Sequence, residues 1–286
     1  MIHVMTVHWL DSRWIDIQLS YLKKNIDRPY LTYAFLNGIS TEHYDKFHYV
    51  SDENIKQHAV KLNLLADMAC FNAESDDDWL FFIDGDAFPI ASVDQYAQPK
   101  LEKNPLIAVQ RKENFADIQP HPSFCITTVG FWKQIRGDWK SGYTWNNARG
   151  ESVTDVGGNL LGILNEKGFD WYPVLRSNII DLHPLSFGLY GDVLYHHGAG
   201  FREHISRVDL EGKGIRMNSL YFKVLSSLPK KLNRLWNPAR IIARKNERLS
   251  EKIFQWILKD ETFFAALNSS AKSWPEDIRA LLSTDK

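Results

Sequence analysis

The stretch Trp79-Leu80-Phe81-Phe82-Ile83-Asp84-Gly85-Asp86 constrains this chain more than any other. Five consecutive large apolar residues make too short a run for a helix, and a half-exposed strand alternates apolar with polar positions. The run therefore predicts a strand covered on both faces, as in the middle of an α/β sheet. Its two trailing carboxylates then fall at the carboxyl end of that strand, where open α/β sheets receive ligands. At strand spacing Asp84 and Asp86 share a side-chain direction, and Gly85 removes bulk between them. Two like charges held this close cost free energy unless a cation offsets them. A hard divalent ion, Mg²⁺ or Mn²⁺, bound partly through ligand phosphates, meets that need.

The surrounding pattern is that of a layered α/β fold. Strands are expected at 2–7, 30–36, 79–83, 106–109, 124–129, 171–175 and 193–196, and helices at 15–26, 54–72 and 156–167. Beyond residue 205 the strand-like runs stop and helix formers dominate, so residues 1–205 read as the α/β domain and 206–286 as a mostly helical basic extension. With 44% hydrophobic and 24% charged residues, the composition excludes a disordered or fibrous chain. Cys70 and Cys125 have no CxxC partner, which excludes a disulfide scaffold and a cysteine-based zinc site. No window reaches the roughly 18 apolar residues that a membrane span needs, and Met1 to Trp14 lacks the basic n-region of a signal peptide. A cytoplasmic protein, peripheral at the membrane face, is the expectation.

A second anchor is Asp192-Val193-Leu194-Tyr195-His196-His197-Gly198-Ala199-Gly200-Phe201-Arg202. A short strand ends in two histidines, and imidazole suits Mn²⁺; adjacent strand residues face opposite ways, so one of His196 and His197 is expected to bind metal. Gly198 and Gly200 permit close backbone approach to a phosphate, and Arg202 offers a forked donor to a diphosphate. Asp155, ahead of Gly157 and Gly158, reads as a helix N-cap. Trp132, Trp139, Tyr143 and Trp145 serve either as core filler or as faces for sugar rings, and 136–150 reads as an acceptor loop.

The net charge of −1 hides a basic band. Residues 223–248 carry Lys223, Lys230, Lys231, Arg234, Arg240, Arg244, Lys245 and Arg248 against Glu247 alone. Interleaved with Leu, Trp and Ile, this band reads either as a contact with an anionic membrane surface or as a solvated helix. No motif in it supports nucleic-acid binding.

The order of helix, acidic gap, apolar strand and Asp-x-Asp resembles the GT-A glycosyltransferases over roughly residues 1–205. His58-Ala59-Val60-Lys61-Leu62-Asn63 is similar to the helix those enzymes carry before the motif strand, and Asp76-Asp77-Asp78 matches the gap. His197-Gly198-Ala199-Gly200 fits the H-x-x-G type segment with which many of them complete the metal site, and His196 fits by its place at the strand end. The resemblance implies a Rossmann-like mixed sheet flanked by helices, a nucleotide-sugar donor, a glycan or lipid-linked acceptor, and Mn²⁺ or Mg²⁺. It also implies Asp86 as direct metal ligand, Asp84 at the ribose or a metal-bound water, and Lys61 and Asn63 near the donor nucleotide. Asp155 would be the base of an inverting enzyme, with Glu151 the weaker alternative. The family's acidic pair is replaced here by Val153-Thr154 before Asp155, which leaves inversion or retention open.

Two other classes compete. Ile83-Asp84-Gly85-Asp86 also resembles the nucleophile motif of haloacid-dehalogenase-type phosphatases, although that family puts it on the first strand and two strand candidates precede it here. A non-catalytic carbohydrate- or membrane-binding module is the third.

Overall fold

The computed structural model describes residues 1–198, 204–212, 238–259 and 262–268. The chain opens with β1 (Ile2–Trp9), α1 (Ile15–Asn25), β2 (Tyr30–Asn37), β3 (Tyr49–Ser51), α2 (His58–Asn72) and β4 (Trp79–Asp84). A short β5 (Ala87–Pro89) and α3 (Val93–Leu101) lead to β6 (Leu106–Val109), β7 (His121–Thr128) and α4 (Val129–Ile135). The hairpin pair β8 (Trp145–Asn146) and β9 (Ser152–Val153) precedes α5 (Gly158–Lys167) and β10 (Tyr172–Val174). Last come β11 (Gly188–Tyr190) and β12 (Leu194–His196).

Seven strands form one mixed sheet in the order β10-β6-β7-β4-β1-β2-β3, with β7 antiparallel to both neighbours. The α/β class expected from the sequence is thus the observed one. β4 sits in mid-sheet, and residues 79–83 are all nearly inaccessible. Their alternation divides the core. Leu80 and Phe82 pack with Met5 and Val7 beneath α2, α4 and α5. Trp79, Phe81 and Ile83 pack with Ile2 and Val4 against Leu22 of α1 and Val93 and Ala97 of α3. At about 1.5–3 kcal/mol per fully buried large side chain, this strand alone anchors the layers. Trp132 and Trp139 join the first of these clusters and pack against Phe82, one tilted and one edge-on, so both are core filler, while Tyr143 is exposed.

A second, three-stranded antiparallel sheet runs β11-β12-β5. It is joined to the large sheet by the turn at Gly85-Asp86 between β4 and β5. The carboxylates therefore do not sit on one continuing strand. Asp84 ends β4, and Asp86 lies in the turn that redirects the chain into the small sheet. Gly85 is needed for a reason the sequence hides: a Cβ there would lie 2.6 Å from the Val7 carbonyl oxygen and 2.8 Å from His8 Nδ1.

Two helix starts also differ from expectation. α2 begins at His58 rather than 54, because the Asn37 side-chain amide donates to the carbonyls of Asp52 and Glu53 and keeps that approach extended. α5 begins at Gly158 rather than 156, and its N-cap is Gly157, not Asp155. Gly157 takes φ +89, and a Cβ there would meet the Pro120 carbonyl oxygen at 2.1 Å, so the turn is one only glycine fits. Asp155 instead accepts from the Val156 backbone N–H.

The chain divides into two compact units. The first is residues 1–177 with 188–196, and the second is 178–187 with residues from 197 onward. The boundary expected near 205 falls inside the second unit. That unit contains α6 (Arg207–Gly212), α7 (Pro238–Lys259) and α8 (Thr262–Leu267). α7 buries Leu249, Ile253 and Ile257 and exposes Arg240 and Arg248. Residues 223–237 of the basic band lie outside the described residues. His183 accepts from the backbone N–H groups of Leu185 and Ser186 at Nδ1 and meets Asp209 through Nε2 at 2.7 Å. Burial would raise the Asp209 pKa, but hydrogen bonds from His183 and Ser206 outweigh it and hold it at about 2. No described helix is long and apolar enough to cross a membrane.

A Gly85→Ala change should destabilise the fold by about 1–3 kcal/mol, since the clash is with backbone. Urea denaturation checks this.

Candidate functional site

The carboxyl ends of β1, β2, β4 and β6 and the start of the reversed β7 lie along one edge of the large sheet. The alternation that points Leu80 and Phe82 toward α2 also turns Asp84 to the first residue of that helix: His58 Nε2 is 3.2 Å from Asp84 Oδ1. In the small sheet, His196 is registered against Ala87, directly after Asp86. Its Nε2 thus comes within 3.4 Å of Asp86 Oδ1 and 3.7 Å of Asp84 Oδ2. One ligand atom from each of Asp84, Asp86 and His196 lies within 4.8 Å of the others. Two carboxylate oxygens and an imidazole nitrogen are a donor set that suits Mn²⁺ and tolerates Mg²⁺. The residues fit the cation expected from sequence.

His197 faces the other way. It is buried, with Nε2 2.7 Å from Ser250 Oγ and its ring against Phe187, all within the second unit. Strand alternation therefore brings His196 to the carboxylates and turns His197 from them.

Asp84 carries unusual electrostatics. Burial would raise its pKa, but the hydrogen bond and charge of His58, then the charges of His121 and His196, hold it well below the ordinary carboxylate range. Behind the turn, Gln18 acts as a clamp. Its amide donates to the carbonyls of Asp84 and Ala87, each at 2.7 Å, and its Oε1 lies 3.2 Å from His8 Nε2. His8 is wholly enclosed, and burial pushes its pKa from 6.5 to about 4.

Other expected residues are more scattered. Lys61 is buried on α2 with its ammonium 3.7 Å from the Trp9 ring, and burial lowers its pKa to about 8. Asn63 donates to Asp138 and accepts from the Trp139 backbone N–H, so it secures the loop after α4. Asp155 is exposed just before α5. Glu151 accepts from Asn147 within the β8–β9 hairpin. Arg202 lies outside the described residues.

Sequence reasoning gave no role to three neighbours of the metal group. His58 stands in the sequence only as the first residue of the segment similar to the helix before the motif strand. His121, at the head of β7, has its ring centroid 6.4 Å from that of His196, and burial followed by the charge of Arg111 pushes its pKa to about 3. Arg111 is half-buried beyond the end of β6, its Nε 3.9 Å from Glu113 Oε1; Glu113 in turn accepts from the Tyr190 hydroxyl. The one available signal was position, since each sits at a strand or helix end on the carboxyl edge.

No family model and no curated protein matches the sequence. Among solved structures, the chain is similar to the mannosyltransferase PcManGT from Pyrobaculum calidifontis in complex with GDP-Man and Mn²⁺. That match has 13% identity and a TM-score of 0.43, and covers 99% of this chain and 78% of that one. The glycosyltransferase GlyE of Streptococcus pneumoniae TIGR4 matches at 11% identity and a TM-score of 0.40, over 95% and 65% of the two chains. S. aureus TarS 1–349 matches at 14% identity and a TM-score of 0.36; the chain spans 50% of its length.

Two outcomes test the site. Gln18→Leu leaves two buried carbonyls without their donor and should cost about 1–3 kcal/mol in urea denaturation, with weaker Mn²⁺ binding by calorimetry. His8 stays neutral in the folded state down to about pH 4 but protonates near 6.5 when unfolded. Stability should therefore fall as pH drops from about 6.5 to 4, by up to ~3 kcal/mol from this residue. Melting midpoints across that range should decline less steeply in His8→Gln.

Proposed function

We propose that the protein is a metal-dependent glycosyltransferase that moves a sugar from a nucleotide-sugar donor to a glycan or lipid-linked acceptor. The observation that carries this reading is the convergence of Asp84, Asp86 and His196 at the carboxyl edge of the sheet. These three residues would hold Mn²⁺ or Mg²⁺. When bound, the cation supplies positive charge against the diphosphate of the donor.

The chain's own residues supply the rest. His58 and Gln18 fix Asp84, one through its carboxylate and the other through its carbonyl. The parallel half of the sheet, ending in Trp9 and Asn37, is of the kind that receives a nucleoside, with Lys61 beneath Trp9. Asn63 acts by holding the loop at Asp138 and Trp139 on the same side of α2. Arg202 is retained from the sequence as a donor to the diphosphate. In an inverting reaction the bond between anomeric carbon and diphosphate oxygen breaks as the acceptor oxygen attacks. Asp155, exposed just before α5, takes the acceptor's proton. Contact with an anionic membrane surface through 223–248 belongs to the same reading, supported by exposed Arg240, Ile241 and Arg248.

A phosphatase of the haloacid-dehalogenase type is less well supported. The Asp-Gly-Asp segment follows the fourth strand of the chain, and the neighbours of its carboxylates are histidines. Asp86→Asn should abolish metal-dependent transfer or nucleotide-sugar hydrolysis, by at least about 100-fold, while leaving the thermal melt unchanged. Full activity in that variant overturns the assignment.

A further inference from the structure

We propose that His121 meets the sugar end of the donor through its Nε2–H and so helps set which glycosyl group is accepted. The inference rests on the nucleotide-sugar reading above and adds a contact to it.

Strand order supplies the first support. β7 lies beside β4 on the side away from β1, and neighbouring strands are about 4.8 Å apart. A nucleotide-sugar with its diphosphate at Asp84, Asp86 and His196 overreaches that spacing in both directions. One end lies toward β1 and β2, the other toward β7. On the β2 side, Asn37 Oδ1 is buried with no partner among the described residues, an acceptor matched to an N–H of a nucleobase. The sugar is left for the β7 side, where His121 is the first residue of the strand and is registered against Val109.

The chemistry of the ring supplies the second. The Ser123 backbone N–H donates to His121 Nδ1 at 3.2 Å. That nitrogen therefore keeps its lone pair, and the neutral ring carries its proton on Nε2. The imidazole is only partly buried, and its centroid lies 6.4 Å from that of His196. An uncharged N–H donor beside the metal group suits a hydroxyl oxygen. A phosphate is better served by a cation such as Arg111, which approaches Glu113 nearby.

The test compares sugar-bearing and sugar-free ligands on the full chain. UDP-glucose, UDP-N-acetylglucosamine, GDP-mannose and dTDP-glucose are titrated with Mn²⁺ by calorimetry, each beside UDP, GDP or dTDP, into wild type, His121→Ala and His121→Gln. Manganese affinity alone is read by electron paramagnetic resonance. For the nucleotide-sugar that wild type binds best, His121→Ala should weaken binding by about tenfold, the worth of one hydrogen bond. Its affinity for the sugar-free nucleotide and for Mn²⁺ should be unchanged. The Gln amide reaches a similar point with an N–H and should restore most of the loss. Equal losses for both ligands, or none for either, overturn the role of His121 while leaving the glycosyltransferase reading standing. A wild type that binds no nucleotide-sugar in the presence of Mn²⁺ overturns both.

Discussion

Two carboxylates forced together at the end of a buried strand are the constraint on which this molecule turns. Asp84 and Asp86 repel each other, and neither lies free in water, where repulsion would be screened. The protein offsets that cost with imidazoles: His58 on one oxygen of Asp84, and His196 between the two acids. A negative site so held is suited to recruit a metal together with a polyanionic ligand, because the metal brings the two together.

The scaffold behind the pair is built to prevent it from yielding. Gly85 lets the turn press on the β1 backbone, and Gln18 ties the carbonyls on both sides of that turn. The small sheet then fixes the third member, since antiparallel pairing of β12 with β5 sets His196 opposite Ala87. Rigid positioning of this kind separates a site from a cluster of acids, because ligands must be presented without paying to order them. The same strand end shows how economical the alternation is. His196 faces the carboxylates, and the next residue, His197, is spent on core packing with Ser250 and Phe187.

Much of the large sheet was legible because its signals are local. Five apolar residues in a row can satisfy water exclusion only as a doubly covered strand, and β4 is one. Most other strands lie within a residue or two of their expected bounds; β7 begins earlier, since His121 and Pro122 continue its extended backbone toward the site. α3 and α4 went unread, although Ser92 and Thr128 cap them by accepting from Gln95 and Phe131 backbone N–H groups. Asp155 misled for the opposite reason. Its residue type suits a cap, but the close approach of Pro120 gives the position to Gly157.

The sequence by itself determined the α/β class, the mid-sheet strand and the arrival of two acids at its carboxyl end. These follow from periodicity and short-range sterics, which any short window of chain contains. Only the tertiary structure decided that His196 rather than His197 joins those acids, and that His58, His121 and Arg111 surround them. Residues 58, 84, 121 and 196 are far apart along the chain, and their meeting depends on strand order and register. Those are set by how whole layers bury their apolar faces, a global balance that no local pattern records.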